Sequence, residues 1–237
     1  DSGGTTVGIH SFNDITIDKP APGGELQLAD DLYMEGNLTV IDGTFDASGF
    51  DITFAGTIWD VQSSTTATAL FTQTNPGRVT FVNGGTIEIY GNNTFYEFWY
   101  EQAGGTILFE AEGGNNIVQT ITGDFHVVSP GAQITLDSTA PVGAGQPPYP
   151  ADYETAPVNP EQWQINIDQP GGATATITEV LVYRSYALYP ITPDPSCTDG
   201  TGNYDWLFFI PIEYSWIEDS DGDGRLDRIR VRVDTAV

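Results

Sequence analysis

Cations are scarce in this chain. Lys and Arg together number 7 against 33 Asp and Glu in 237 residues, a formal net charge of −26 at pH 7. Such a field repels the phosphates of nucleic acids and anionic lipid headgroups, so neither is an expected partner. Cysteine is nearly missing: Cys197 is alone, which excludes an intrachain disulfide. Histidine is limited to His10 and His126. No run is long and apolar enough to cross a bilayer as a helix. Helix-forming Ala-Glu-Lys-Leu runs are absent, and Leu is sparse. A signal-peptide pattern is missing too, and the chain opens on Asp1 rather than Met. That opening predicts a processed, secreted product.

What is present is material for strands and turns. There are 27 Gly and 28 Thr, and aromatics make up 12% of the chain. Hydrophobics at 39% and charged residues at only 17% argue against a disordered acidic tail. The pattern is that of many short strands joined by tight turns.

A period of 27 residues runs through the first half. Phe71, Phe98 and Phe125 are separated by 27, and so are Gly77, Gly104 and Gly131. Blocks 24–50, 51–77, 78–104 and 105–131 open on GELQLA, DITFAG, RVTFVN and GTILFE, each a short alternating apolar segment. AQITLD opens a fifth block at 132. About three short strands per block predict an all-β parallel β-helix, a solenoid with coils of about 27 residues. Stacked coils bury a continuous ladder, so Phe71, Phe98 and Phe125 are expected to stack. Residues 140–160 are Pro-rich and predict an extended loop. WQINI (163–167), ATATI (173–177) and EVLVYRS (179–185) predict a further coil, and 190–205 a loop. The apolar run 204–217 predicts a β pair. The expected organisation is N-terminal strands or a cap over 1–23, the solenoid over 24–189, and a C-terminal β segment over 190–237.

The sharpest motif is EDSDGDGRLD at 218–227. Asp219, Asp221, Asp223 and Asp227 sit at positions 1, 3, 5 and 9, and Arg225 offers its backbone carbonyl at position 7. Gly224 makes the turn at position 6. Hard oxygens at this density need a hard cation between them, and Ca²⁺ suits them better than Mg²⁺. Position 12 is Arg230, so the loop is not an EF-hand. It resembles the shorter DxDxDGxxD loops of dockerins, thrombospondin type-3 repeats and bacterial surface proteins. A remaining ligand would come from Glu218, Asp234 or water.

RIRVRVD follows at 228–234. Ile229, Val231 and Val233 alternate with Arg228, Arg230 and Arg232, an amphipathic strand. Four of the seven cations lie within 225–232, while the first 215 residues hold only Lys19, Arg78 and Arg184 against 27 acids. Two readings stand side by side: an edge strand whose charges block aggregation, and a strand that pairs with an acidic neighbouring subunit.

The remaining candidates are weaker. His10 and His126 lack a nucleophile or metal cluster beside them. Cys197 sits in an acidic loop with no base to activate it, and an intermolecular disulfide is its more plausible use. Tyr96, Trp99 and Tyr100, with Tyr149 and Tyr153, offer aromatic surface for sugars or another subunit. Glu88, Glu97, Glu101, Glu110 and Glu112 are available as acids without any spacing that pairs them. Asn37 and Asn92 fall in glycosylation sequons.

The runs LTVIDGTFDASGFDITFAG, GRVTFVNGGTIEIYGNNTFYEFWYEQAGGTILFE and ITLDST…WQINI…VLVYRS resemble bacterial secreted right-handed parallel β-helix repeat proteins of the surface and adhesin type. The likeness spans about residues 24–185 and is one of pattern. It implies an extracellular, cell-surface location and a structural or adhesive role. The leading expectation is a non-enzymatic, calcium-stabilised structural subunit that self-assembles into a filament, sheath or surface layer, its copies joined by stacking or strand pairing. The alternative is an adhesin or carbohydrate-binding module with a glycan partner. A polysaccharide-degrading enzyme comes third, since fold alone is analogy.

Overall fold

A computed structural model describes residues 11–19, 24–61, 69–111, 117–140, 161–208, 212–218 and 228–233. The chain lays down strands in triplets. The first coil is β1 (Ser11–Phe12), β2 (Ile15–Asp18) and β3 (Glu25–Gln27). The second is β4 (Leu32–Met34), β5 (Leu38–Asp42) and β6 (Thr44–Asp46). Then come β7 (Ile52–Phe54), β8 (Ile58–Val61) and β9 (Leu70–Thr72), followed by β10 (Arg78–Phe81), β11 (Thr86–Tyr90) and β12 (Asn93–Phe95). The fifth and sixth coils are β13 (Glu97–Tyr100), β14 (Thr106–Phe109) and β15 (Val118–Ile121), then β16 (Asp124–Val128), β17 (Ile134–Ser138) and β18 (Trp163–Ile167). The seventh is β19 (Thr174–Thr178), β20 (Val180–Tyr183) and β21 (Ser185–Ile191), and β22 (Thr198–Thr201) and β23 (Tyr204–Trp206) follow.

Each triplet contributes one strand to each of three parallel sheets. Sheet A runs β1-β4-β7-β10-β13-β16-β19. Sheet B runs β2-β5-β8-β11-β14-β17-β20-β22, and sheet C runs from β3 to β23 by the same step. This is the three-sided arrangement of a parallel β-helix, as the alternating segments predict. Among the described residues, helix is limited to a 3-10 turn at Gln169–Gly171.

Alternation places one side chain in two inside the prism. Met34, Leu38, Ile52, Phe81, Ile89, Ile107, Val127 and Leu136 are fully buried, and their neighbours along each strand face out. Aromatic rings fill the centre. Trp59 lies 5.3 Å from Phe54, 4.9 Å from Phe71 and 5.6 Å from Phe81, centroid to centroid. Its indole N–H donates to Asn93 Oδ1 at 2.8 Å. Asn93 in turn donates to Gln119 Oε1, so the polar ladder inside sheet C is satisfied from coil to coil.

The fixed 27-residue coil needs correcting. Phe98 pairs with Phe125 and Ile52 with Val79, both 27 apart, but Val79 pairs with Phe98 across only 19. Phe71 belongs to sheet C, where it packs against Phe45 and Phe95; it is not in register with Phe98. The reason is that the corners vary in length: between Ile52 and Val79 the chain spends eight residues from sheet B to C and five from C to A, against two and one between Val79 and Phe98. The chain passes from sheet B to sheet C with one residue between β5 and β6, but eight between β8 and β9. It takes eight between β14 and β15, and 24 between β17 and β18. The Pro-rich stretch expected as an extended loop at 140–160 falls in that last interval and, from 141 on, lies outside the described residues.

Two further expectations shift. Residues 190–205 are not wholly loop: β22 and β23 add to sheets B and C, each in parallel. The apolar run 204–217 is not one β pair. β23 joins β21, while β24 (Ile212–Glu218) pairs antiparallel with β25 (Arg228–Val233) as a separate two-stranded sheet.

Arg184 fastens the corner where the Pro-rich stretch leaves. It is 7% exposed and adopts a left-handed φ of 47°. Its guanidinium donates to Asp137 Oδ1 at 2.8 Å, to the Ala140 carbonyl at 2.6 Å and to the Ser138 carbonyl at 2.9 Å. A planar fork with three acceptors suits Arg and not Lys.

Candidate functional site

The calcium-loop residues Asp219, Asp221, Asp223, Arg225 and Asp227 lie outside the described residues, as do His10, Glu112, Tyr149 and Tyr153. Their flanks are described. β24 ends at Glu218, β25 begins at Arg228 after nine intervening residues, and the two strands pair antiparallel. Arg228, Ile229, Arg230, Val231, Arg232 and Val233 form β25 as expected. The register sets Arg228 opposite Glu218, Arg230 opposite Trp216 and Arg232 opposite Tyr214. Ile229 is opposite Ile217, and Val231 is opposite Ser215.

The acids flagged in sequence divide between two faces of the prism. Glu97 and Glu101 come to the outside of sheet A, where a stack spans three coils. The Arg78 guanidinium carbon lies 3.9 Å from the centre of the Trp99 ring, and the His126 ring covers Trp99 at 3.8 Å with planes 11° apart. Arg78 Nε donates to Glu97 at 2.7 Å. His126 Nε2 is 2.8 Å from Glu101 Oε1, and its Nδ1 is 3.9 Å from Asp124. Register explains the assembly: Arg78 is level with Glu97, and Trp99 with His126. Both faces of the indole are covered, so Trp99 has no open face for a sugar ring. Trp99 Nε1 is buried without an acceptor among the described residues.

Glu88 and Glu110 come to sheet B with Tyr90 and Asp60. The Tyr90 hydroxyl donates to Glu88 Oε2, and the Gly91 N–H donates to Glu110 Oε2 at 2.7 Å. Burial pushes the Glu110 carboxyl above the usual carboxylate range, and Asp60 adds to that against the Gly91 hydrogen bond. Burial, with Glu88 beside it, pushes Tyr90 up to about 12. A phenol held protonated in this way is not poised as a base near neutral pH. Among the described residues, no group of three His, Cys, Asp or Glu side chains is arranged to hold a metal ion.

Cys197 is half-buried against the core, and its thiol donates to the Ile177 carbonyl at 3.4 Å. Burial pushes this thiol up, which keeps it protonated and unreactive. The sequon residues are structural acceptors. Asn37 Oδ1 receives the N–H groups of Thr57 and Ile58, and Asn92 Oδ1 that of Val118.

A feature that sequence reasoning missed is the aromatic surface of the last coils. Tyr186 and Tyr204 stack at 4.7 Å with planes 2° apart, and Leu188, Tyr189 and Leu207 are exposed nearby in sequence. The signal was present in SYALYP and NYDWLF, but it becomes visible only once β23 is seen to lie beside β21.

Fold and surface together define a parallel β-solenoid with an acidic body, followed by a basic-stranded hairpin. Comparison with protein-family models, curated proteins and solved structures finds no match to the chain.

Proposed function

We propose that this protein is a non-enzymatic structural subunit that self-assembles outside the cell into a filament, sheath or surface layer, with calcium closing its C-terminal loop. The observation that carries this reading is the open stack. Among the described residues, β1, β2 and β3 have no strand on their outer edges at one end, and β22 and β23 have none at the other. Such edges are templates for another chain. The hairpin adds a cationic strand to a body dominated by carboxylates, the pairing that favours association between copies.

Calcium fits the chemistry of the acidic sequence between β24 and β25. Four Asp carboxylates and the Arg225 carbonyl would hold it, and the ion would neutralise carboxylates that otherwise repel each other. An isolated pair of strands is marginal in water, so a cation bound by the residues that join β24 to β25 would stabilise it.

Negative-stain microscopy with light-scattering mass, in Ca²⁺ and then in EDTA, tests the reading. Ordered polymers are expected in Ca²⁺ and their loss in EDTA; a monomer in both buffers overturns it. A second reading, a glycan-binding surface module, is favoured by the stacked Tyr186–Tyr204 pair and exposed Tyr189. It predicts glycan-array binding that Tyr186→Ala with Tyr204→Ala removes.

A further inference from the structure

We propose that the partner of the basic strand β25 is the outer edge of β2 in a second copy of this chain, so that Arg228, Arg230 and Arg232 fall in line with Asp14, Thr16 and Asp18. This rests on the self-assembly reading and names the receiving surface.

The first observation is the state of that edge. Ile15 N–H donates to the Asn37 carbonyl and Lys19 N–H to the Asp42 carbonyl, both on the β5 side. Alternation turns the N–H groups of Thr16 and Asp18 to the opposite edge, which no strand pairs among the described residues. The second is pattern. Ile15 and Ile17 face inward, half-buried and buried, while Asp14, Thr16 and Asp18 are exposed. β25 repeats this alternation with the opposite charge: Ile229, Val231 and Val233 between Arg228, Arg230 and Arg232. In either strand direction, the apolar positions continue the inner ladder and the Arg positions meet the acidic row. Asp42, level with Asp18 on the next strand, adds to that negative row, while Lys19 is its one cation.

Other edges fit less well. β1 has two residues and β3 three. β22 reads TDGT, without an apolar alternation, and β23 is offset by a register break. Geometry favours a second copy over the chain's own β2. Seven strand steps separate β2 from β22, roughly 34 Å at the usual inter-strand spacing. The hairpin follows β23 at the far end, where the next molecule in a head-to-tail stack would present its β2.

The test uses the full chain with Cys197→Ser. Thr16→Cys and Arg230→Cys are introduced singly, mixed, and oxidised mildly. A disulfide-linked dimer is expected, with none from Thr80→Cys mixed with Arg230→Cys. No dimer in a sample that light scattering shows to be assembled overturns the edge assignment and leaves the self-assembly reading standing. Monomers at every concentration overturn both. A third chain carries both Thr16→Cys and Arg230→Cys; an intramolecular disulfide in it shows the strand closing on its own stack, and also overturns the proposal. As a second arm, Asp14→Lys with Asp18→Lys is expected to raise the concentration needed for assembly at least tenfold. Adding Arg228→Glu with Arg232→Glu is expected to restore it. Failure of that swap to rescue, with circular dichroism unchanged, removes the charge match.

Discussion

Within the solenoid, neighbouring strands run parallel, and two of its Arg residues are engaged at home: Arg78 holds Glu97 and Arg184 holds Asp137. In the hairpin the strands run antiparallel, and three Arg stand at alternate positions of one strand with a single Glu opposite them. The solenoid draws its stability from an interior of stacked rings. The hairpin has only two strands, too few for independent stability in water. One region is therefore built to persist alone, and the other gains by meeting something else. This division of labour is open to direct attack.

The largest effect is expected from the solenoid's centre. Trp59→Ala removes a ring that touches Phe54, Phe71, Phe81 and Phe95, and leaves Asn93 without its donor. A loss of about 3–5 kcal/mol is expected, read as a melting temperature lower by roughly 10 °C. Arg184→Ala comes next. It strands a half-buried Asp137 and two carbonyls, and about 3 kcal/mol should be lost by denaturant titration. Arg184→Met combined with Asp137→Leu should recover part of that.

Removing residues 209–237 should act on the other side of the comparison. Assembly is expected to vanish while the solenoid's melting temperature moves by no more than about 1–2 °C. A collapse of thermal stability in that truncation would show that the hairpin props up the stack. Asp219→Ala with Asp223→Ala is expected to abolish any rise in melting temperature on adding Ca²⁺, a shift that calorimetry in Ca²⁺ and EDTA measures.

The smallest effect concerns Glu110. Its carboxyl is pushed up in the folded state, so the fold binds the proton more readily than the unfolded chain does. Its ionised form therefore costs stability above that raised value, and the cost disappears below the ordinary carboxylate range. Glu110→Gln keeps an acceptor for the Gly91 N–H. It should raise the melting temperature slightly near neutral pH and leave it unchanged at about pH 3.5 or below.

Much of this architecture was legible because burial imposes a period of two. ITF, RVTF, EFWY, TILF and ITLDS all announce themselves, and each is a strand with its odd or even set inside. The coil length was not legible, because the intervals from sheet B to C and from sheet C to A both differ from coil to coil. Phe71 and Phe98 sit 27 apart because eight residues carry the chain from Phe71 in sheet C to Val79 in sheet A, and one short coil of 19 carries it on to Phe98; they belong to different sheets. β22 escaped notice since Thr-Asp-Gly-Thr carries no apolar alternation; its pairing comes from the backbone. The Arg78–Trp99–His126 stack was illegible for another reason. Its members come from three coils, and only register brings them level. The acidic loop lies outside the described residues, so its reading as a calcium ligand set rests on the alternate Asp positions before Gly224 alone.

The corner between sheets B and C also sets out a rule for anyone who would alter this molecule. There the chain accommodates anything from one to 24 residues between consecutive strands without disturbing the registers on either side. Foreign peptides spliced between β5 and β6, or between β11 and β12, would leave the prism at that same corner. If copies stack end to end, that corner continues from one molecule to the next. Passengers would then be spaced by whole coils, about 4.8 Å apart per step along the fibre, and the prism would serve as a ruler for whatever is attached to it.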